Sequence, residues 1–217
     1  PDFAIPPEDR VILTDVFFPA LRMGFLRSGE DGREGTVILD ASHWGGHHHR
    51  DSLNLTFFQH GHEALTDLGY LWDRPDKNFT VRTAAHNLVV VDESEQRTRE
   101  RKGSLNLFDA TPRVKAVDCS SDAYEQASLY RRICVLVDHG AEGNYLVDVF
   151  RVAGGRVHDY LFHGPTPGFV AEGIDLSPAD GPAPYDIQNV RRGASPEPWR
   201  LTWQLDDSVR FTAWALP

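Results

Sequence analysis

Seven of the chain's ten histidines fall between His43 and His86, and three of them stand together in His47-His48-His49-Arg50-Asp51. Imidazoles and carboxylates held close together bind a borderline metal or move protons. Read with period two, His47, His49 and Asp51 point the same way as Leu53, Leu55 and Phe57, and His48 and Arg50 point the other way. A lone histidine is usually structural; an H-x-H-x-D alternation aims several such groups at one place. This segment is therefore where chemistry is expected.

Partners are available in the same window. Asp67 ends the run Ala64-Leu65-Thr66-Asp67, and a carboxylate that closes an apolar strand needs a cation or hydrogen-bond donors. His86-Asn87 opens the apolar run Leu88–Asp92 and offers a further imidazole. Two imidazoles and one carboxylate make a common set for zinc. One geometric objection stands against a shared metal. If residues 52–68 form a simple hairpin turning at His60-Gly61, Asp67 faces Asn54, which is roughly 16 Å from His49 along an extended strand. A bulge or a staggered register would be required. The same simple register puts Tyr70 opposite Asp51.

The elements that must hold these groups are strands. Helical periodicity is nearly absent, and short apolar or alternating runs are separated by turn signals such as Gly29–Gly32, His60-Gly61, His139-Gly140 and Gly154-Gly155. Strands are expected at Val11–Asp15, Ala20–Arg27, Thr36–Ala41, Ser52–Phe58, Ala64–Leu68, Leu88–Asp92, Leu105–Ala110, Val114–Cys119, Tyr124–Asp138, Asn144–Ala153, Val157–His163, Arg200–Gln204 and Val209–Trp214. The Tyr130–Val137 half of the longest run looks buried on both faces. Residues 164–198 hold seven of the 14 prolines and read as an irregular insertion within one domain. The expectation is an all-β chain, a large antiparallel two-sheet β-sandwich of supersandwich type covering residues 1–217.

At 217 residues and 41% hydrophobic content the chain can bury a sizeable core. Its mean hydropathy of -0.40 and short apolar runs give no membrane-spanning helix. A net charge of -10 argues against nucleic acid as a partner. An anionic substrate could still be held by a local basic patch, and Arg50, Arg74, Lys77 and Arg82 flank the histidine window. They read either as a solvated face or as the wall of a groove for acidic sugars. Cys119 and Cys134 could form one disulfide or remain buried thiols. His139, His158 and His163 show no partner pattern and are taken as structural. Pro1 in place of an initiator Met and the closing apolar run Phe211–Leu216 lead us to expect a piece of a longer protein.

Several motifs in order resemble the heparinase II/III-like family of polysaccharide lyases, in its C-terminal β-sandwich domain. Phe18–Gly29 resembles the family's opening strand ending in Arg-Ser. Gly46-His47-His48-His49-Arg50-Asp51 is similar to its H-x-H-x-D segment. Ala64–Tyr70 is similar to its D-x-G strand, and His86–Asp92 with Gln96 to its H-N…D…Q signature. Tyr130-Arg131-Arg132 and Leu146–Phe150 fit later strands. The likeness is good over residues 11–163 and weak beyond.

The resemblance implies zinc, in a structural role, held by His49, Asp67 and His86. It implies a groove shared with an N-terminal (α/α) toroid absent from this sequence, so that the isolated chain would be inactive. His47 is then expected at the catalytic groove, with Tyr70 a lesser catalytic candidate. Arg50, Arg74 and Asn87 are expected to bind the substrate. The implied reaction is β-elimination on an acidic, uronic-acid-containing polysaccharide, in a periplasmic or secreted protein. A non-catalytic carbohydrate-binding sandwich and a uronyl C5-epimerase are the alternatives.

Overall fold

The computed structural model describes residues 13–29, 33–42, 49–69, 71, 73–97, 103–140, 143–181 and 183–216. The first sheet is an antiparallel meander of five strands: β1 (Val16–Phe18), β2 (Met23–Ser28), β3 (Gly35–Asp40), β4 (Asn54–Gln59) and β5 (His62–Leu65). The strand expected at Val11–Asp15 is not formed at residues 13–15; pairing with β2 begins at Val16. Next in the chain are a four-residue helix, α1 (Lys77–Thr80), a 3-10 turn at Thr83–Ala85, and the short strand β6 (Val89–Val91). The second large sheet has four strands, β7 (Gly103–Ala110), β8 (Val114–Ser121), β9 (Ala127–Asp138) and β10 (Asn144–Gly154), again neighbours in sequence order. β11 (His158–Tyr160) returns to pair with β6.

The two large sheets face each other, because period-two alternation turns one row of each inward. Leu26, Val37, Leu39, Leu55 and Phe57 of the first sheet form one core with Val117, Cys119, Tyr130, Cys134 and Leu136 of the second. The sheets come close enough that a Cβ on Gly24 would lie 2.7 Å from Val117 Cγ2. Both cysteines are free buried thiols, and burial pushes the Cys119 thiol up to about 12. β9 is buried on one face only. Tyr130, Arg132, Cys134 and Leu136 point inward, and Ile133, Val135 and Val137 on the other face are half-buried.

Residues 164–198 are mostly irregular but contribute β12 (Val170–Glu172), β13 (Ser177–Pro178) and β14 (Arg191–Arg192). β12 joins β15 (Trp199–Gln204) and β16 (Arg210–Ala215) in a three-stranded sheet. Trp203 anchors that sheet. It is buried and packs on Phe162 and Phe211, and Phe211 reaches Phe57 of β4 at 6.4 Å between ring centroids.

A polar clamp reinforces this docking. The β15–β16 turn carries Asp206, whose carboxylate accepts hydrogen bonds from Ser208 N (2.7 Å) and Val209 N (2.8 Å) and meets His62 Nε2 at 2.7 Å. These donors hold the Asp206 carboxyl well below the usual carboxylate range. A carboxyl depressed in the folded state stabilises it above its unfolded value, and that stability is lost as pH falls through the folded value. Asp206→Asn should therefore narrow the difference in melting temperature between about pH 6 and about pH 3. Thermal melts at the two pH values check this.

Candidate metal centre

The segment expected to run extended from His47 to Phe57 is not one strand over its described part, residues 49–57. β4 begins at Asn54, and Leu53 takes a left-handed backbone with φ 67°, which folds the preceding residues back. The loop at 49–53 is held from three sides. Leu53 N donates to Asp40 O (2.6 Å), and Arg50 N donates to Val81 O (3.1 Å). The Gln96 amide accepts from Ser52 N (2.8 Å) and donates to Ser52 O (3.0 Å). Because this stretch is not extended, the 16 Å separation inferred from the sequence does not arise.

Asp67 lies beside Asn54, where the simple hairpin places it, although β4 and β5 do carry a bulge at Phe57/Phe58. Asn54 Nδ2 donates to Asp67 Oδ2 (2.8 Å), and Gly69 N donates to Oδ1 (2.7 Å). His86 follows the 3-10 turn rather than starting a strand. Its Nδ1 donates to Arg82 O (2.8 Å), which leaves Nε2 with its lone pair facing the site.

His49, Asp67 and His86 converge. His49 Nδ1 is 3.1 Å from His86 Nε2, His86 Nε2 is 3.7 Å from Asp67 Oδ2, and all three ligand atoms lie within 4.8 Å of one another. Atoms bound tetrahedrally at about 2.1 Å from one ion stand roughly 3.4 Å apart. The two nitrogens and one oxygen therefore fit a zinc-sized cation. Both imidazoles are buried, and the Asp67 side chain is 29% exposed, so the cluster opens on its carboxylate side.

The residues behind the cluster are as ordered as those in it. Asn87 is fully buried. Its Nδ2 donates to Leu55 O and Thr66 O, its Oδ1 accepts from His163 N, and its backbone N–H donates to Asn54 Oδ1. It is expected from sequence on the substrate; the structure instead makes it the tie between the strand bearing Asn54 and the segment bearing His86. His163 is also here, with Nε2 3.0 Å from Ala84 O, and burial lowers its pKa.

The guanidinium of Arg132 is completely buried. Nη1 donates to Leu53 O (2.8 Å) and to Asn87 O, and Nε and Nη2 donate to the two oxygens of Asp148 at 2.8 and 2.7 Å. Nη2 also reaches Tyr160 Oη at 2.8 Å, and the Tyr160 hydroxyl donates to Asp148. Burial alone would lower the Arg132 pKa; Asp148 outweighs it and raises the pKa above the ordinary value.

Arg50, next to His49 in the chain, is half-buried and pairs with Glu95 (3.8 Å); Arg74 is exposed and pairs with Asp76 (3.2 Å). Arg82 is bound to Glu95 and to Asp186, each at 2.9 Å. Although partly desolvated, Glu95 is held below the usual carboxylate range by Thr83 N–H and Arg82. His47 and Tyr70 lie outside the described residues. The sequence places Asn54 opposite Asp67 but assigns no role to Asn54 or Arg132. A charged side chain at an inward position of an apolar strand is the signal that could have found Arg132.

The sequence profile described as heparinase II/III-like, C-terminal, matches residues 15–211, and the chain belongs to that family. It is thus a polysaccharide-lyase family domain. It is 25% identical to an alginate lyase of Stenotrophomonas maltophilia (strain K279a) over 224 aligned positions, covering 83% of this chain and 30% of the relative. Among solved structures, a heparinase III superposes with a TM-score of 0.65 at 14% identity, over 97% of this chain and 33% of that one. The heparan sulfate lyase HepC from Pedobacter heparinus gives 0.56 at 17% identity, over 65% of this chain and 22% of that one. These two likenesses are of fold. The chain spans about a third or less of the length of each of these relatives.

Removing Arg132 leaves Asp148 without its cation. Arg132→Met should cost about 3–5 kcal/mol, read by urea unfolding. Adding Asp148→Leu should recover part of that loss, because no uncompensated charge then remains.

Proposed function

We propose that this domain forms the metal-bearing wall of the substrate groove in a lyase that cleaves uronic-acid-containing polysaccharide by β-elimination. The observation that carries the reading is the convergence of His49, Asp67 and His86, with His86 Nδ1 already committed to Arg82 O. A zinc ion held there would supply a fixed divalent charge joining three chain segments. The burial of both imidazoles favours a structural ion over one that polarises substrate.

In the elimination a base removes the C5 proton, the electron pair forms the C4–C5 double bond, and the C4–O4 bond breaks with protonation of the leaving oxygen. The proton is weakly acidic, so the sugar carboxylate must be neutralised and the base placed within hydrogen-bond reach. Arg50, beside His49, and Arg74 are suited to the carboxylate. To His47, two residues before His49, we assign contact with that carboxylate or a share in proton transfer, with Tyr70 as a lesser candidate. The remaining groove residues belong to a toroid domain in the longer protein.

The whole protein, mixed with alginate, heparan sulfate or chondroitin sulfate, should generate the ultraviolet absorbance of an unsaturated uronate on at least one of them. Binding without new absorbance would favour a carbohydrate-binding module or a C5-epimerase and reject the lyase. His49→Ala should lose bound metal, melt at lower temperature and lose activity. Unchanged metal content with an unchanged melt would remove His49 from the ligand set.

A further inference from the structure

The outward face of the three-stranded sheet does not resemble an ordinary solvated face. β15 turns Leu201 and Trp203 inward and Arg200, Thr202 and Gln204 outward, and β16 adds Arg210, Thr212 and Trp214 to the same outer face. The rows are paired across the strands: Gln204 with Arg210, Thr202 with Thr212, and Arg200 with Trp214. On the other side of β15, Glu172 lies opposite Arg200. Glu172, Arg200, Thr202, Gln204, Arg210 and Thr212, with Val170 and Ser208, line an open groove of about 700 Å³, and Trp214 stands beside it over Arg200. None of His49, Asp67 and His86 lines it.

Trp214 is 59% exposed, with its ring 4.9 Å from the Arg200 guanidinium. An exposed indole, with exposed Val170 across the groove, gives this largely polar strand face an apolar component. Beside it are hydroxyls, an amide and two guanidinium groups. The Arg200–Glu172 pair is solvent-exposed, so it is weak and exchangeable with another carboxylate. Arg210 has no ion pair among the described residues. From Trp214 to Arg210 the face runs four residues, roughly 13 Å.

From this juxtaposition we propose that the outer face of β12, β15 and β16 is a binding surface for an acidic oligosaccharide segment. The apolar face of one pyranose packs on Trp214 with Thr202 and Thr212 near its hydroxyls, and Gln204 meets the hydroxyls of the next unit along the face. Arg210 and Arg200 take uronate carboxylates. A guanidinium binds a carboxylate through two parallel hydrogen bonds, which suits planar anionic groups. The chain as a whole carries a charge of -10 and repels an acidic polymer, so local cations must hold it and the binding must weaken with salt. The surface would retain a long polymer whose reacting unit lies elsewhere. This deepens the proposed function by adding a second hold on the same class of substrate.

Native electrophoresis of the whole protein through gels containing alginate, heparan sulfate or neutral dextran tests the surface. Retardation is expected in an acidic polymer and not in dextran. Trp214→Ala and Arg210→Gln should each weaken it about threefold to tenfold in apparent Kd. Both side chains are exposed, so the melting temperature should not move. Equal retardation of variants and parent, or equal retardation in dextran, overturns the proposal. So does a sedimentation experiment in which Trp214→Ala instead dissolves a dimer, since that makes the face a contact between two copies. If no polymer is cleaved yet Trp214→Ala still loses retardation, the lyase reading fails and this surface stands.

Discussion

The structure depends on one buried guanidinium. Arg132 sits between the sheets and donates at once to the carbonyls of Leu53 and Asn87, which belong to the two segments that carry His49 and His86. Desolvating such a charge is costly, and Asp148 and Tyr160 offset the cost on its other side. The result is a rigid bridge from the middle of β9 to the backbone beneath the cluster. An apolar residue at this position could fill the volume but could not fix two carbonyl directions. Here a buried ion pair serves geometry more than stability.

Two asparagines extend that bridge into the site. Asn54 binds Asp67 with one end of its amide and the backbone of Asn87 with the other. Asn87 in turn ties β4, the end of the hairpin and residue 163 together. Each amide is used for both donation and acceptance, so neither can rotate without leaving a buried group unsatisfied. The carboxylate of Asp67 and the imidazole of His86 are thereby aimed by the chain itself. Preorganisation of this kind supports ligand atoms that sit close together despite their mutual repulsion.

Much of this arrangement is legible in the chain itself. Period-two patterning locates β2 through β4 and β7 through β10 within a few residues, because one face of each strand must be apolar. The histidines and Asp67 stand out by type and spacing. The conformation of residues 49–53 is not legible. Leu53 carries a left-handed backbone that local preference would assign to glycine or asparagine, and it is held by distant groups, Asp40 at its N–H, Arg132 at its carbonyl and Gln96 at the preceding residue. The role of Asn87 is equally hidden. A polar residue beside a candidate ligand reads as a substrate contact, and only its complete burial shows that it holds the scaffold instead.

The reach of Arg132 has a consequence for biosynthesis. Its bond to Leu53 joins residues 79 apart, and the bond from His163 to Asn87 joins residues 76 apart. A ribosome delivers all three cluster residues well before β9, Asp148 and Tyr160 exist. The early five-stranded meander can form by local pairing, and Asp40, Val81 and Gln96 can hold its histidine loop, but the bonds from Arg132 to Leu53 and from His163 to Asn87 must wait for the second sheet and β11. The order of translation thus separates placing the cluster residues from completing their cradle, and a chain cut short before β11 would carry the cluster without the ties that Tyr160 and His163 add from behind.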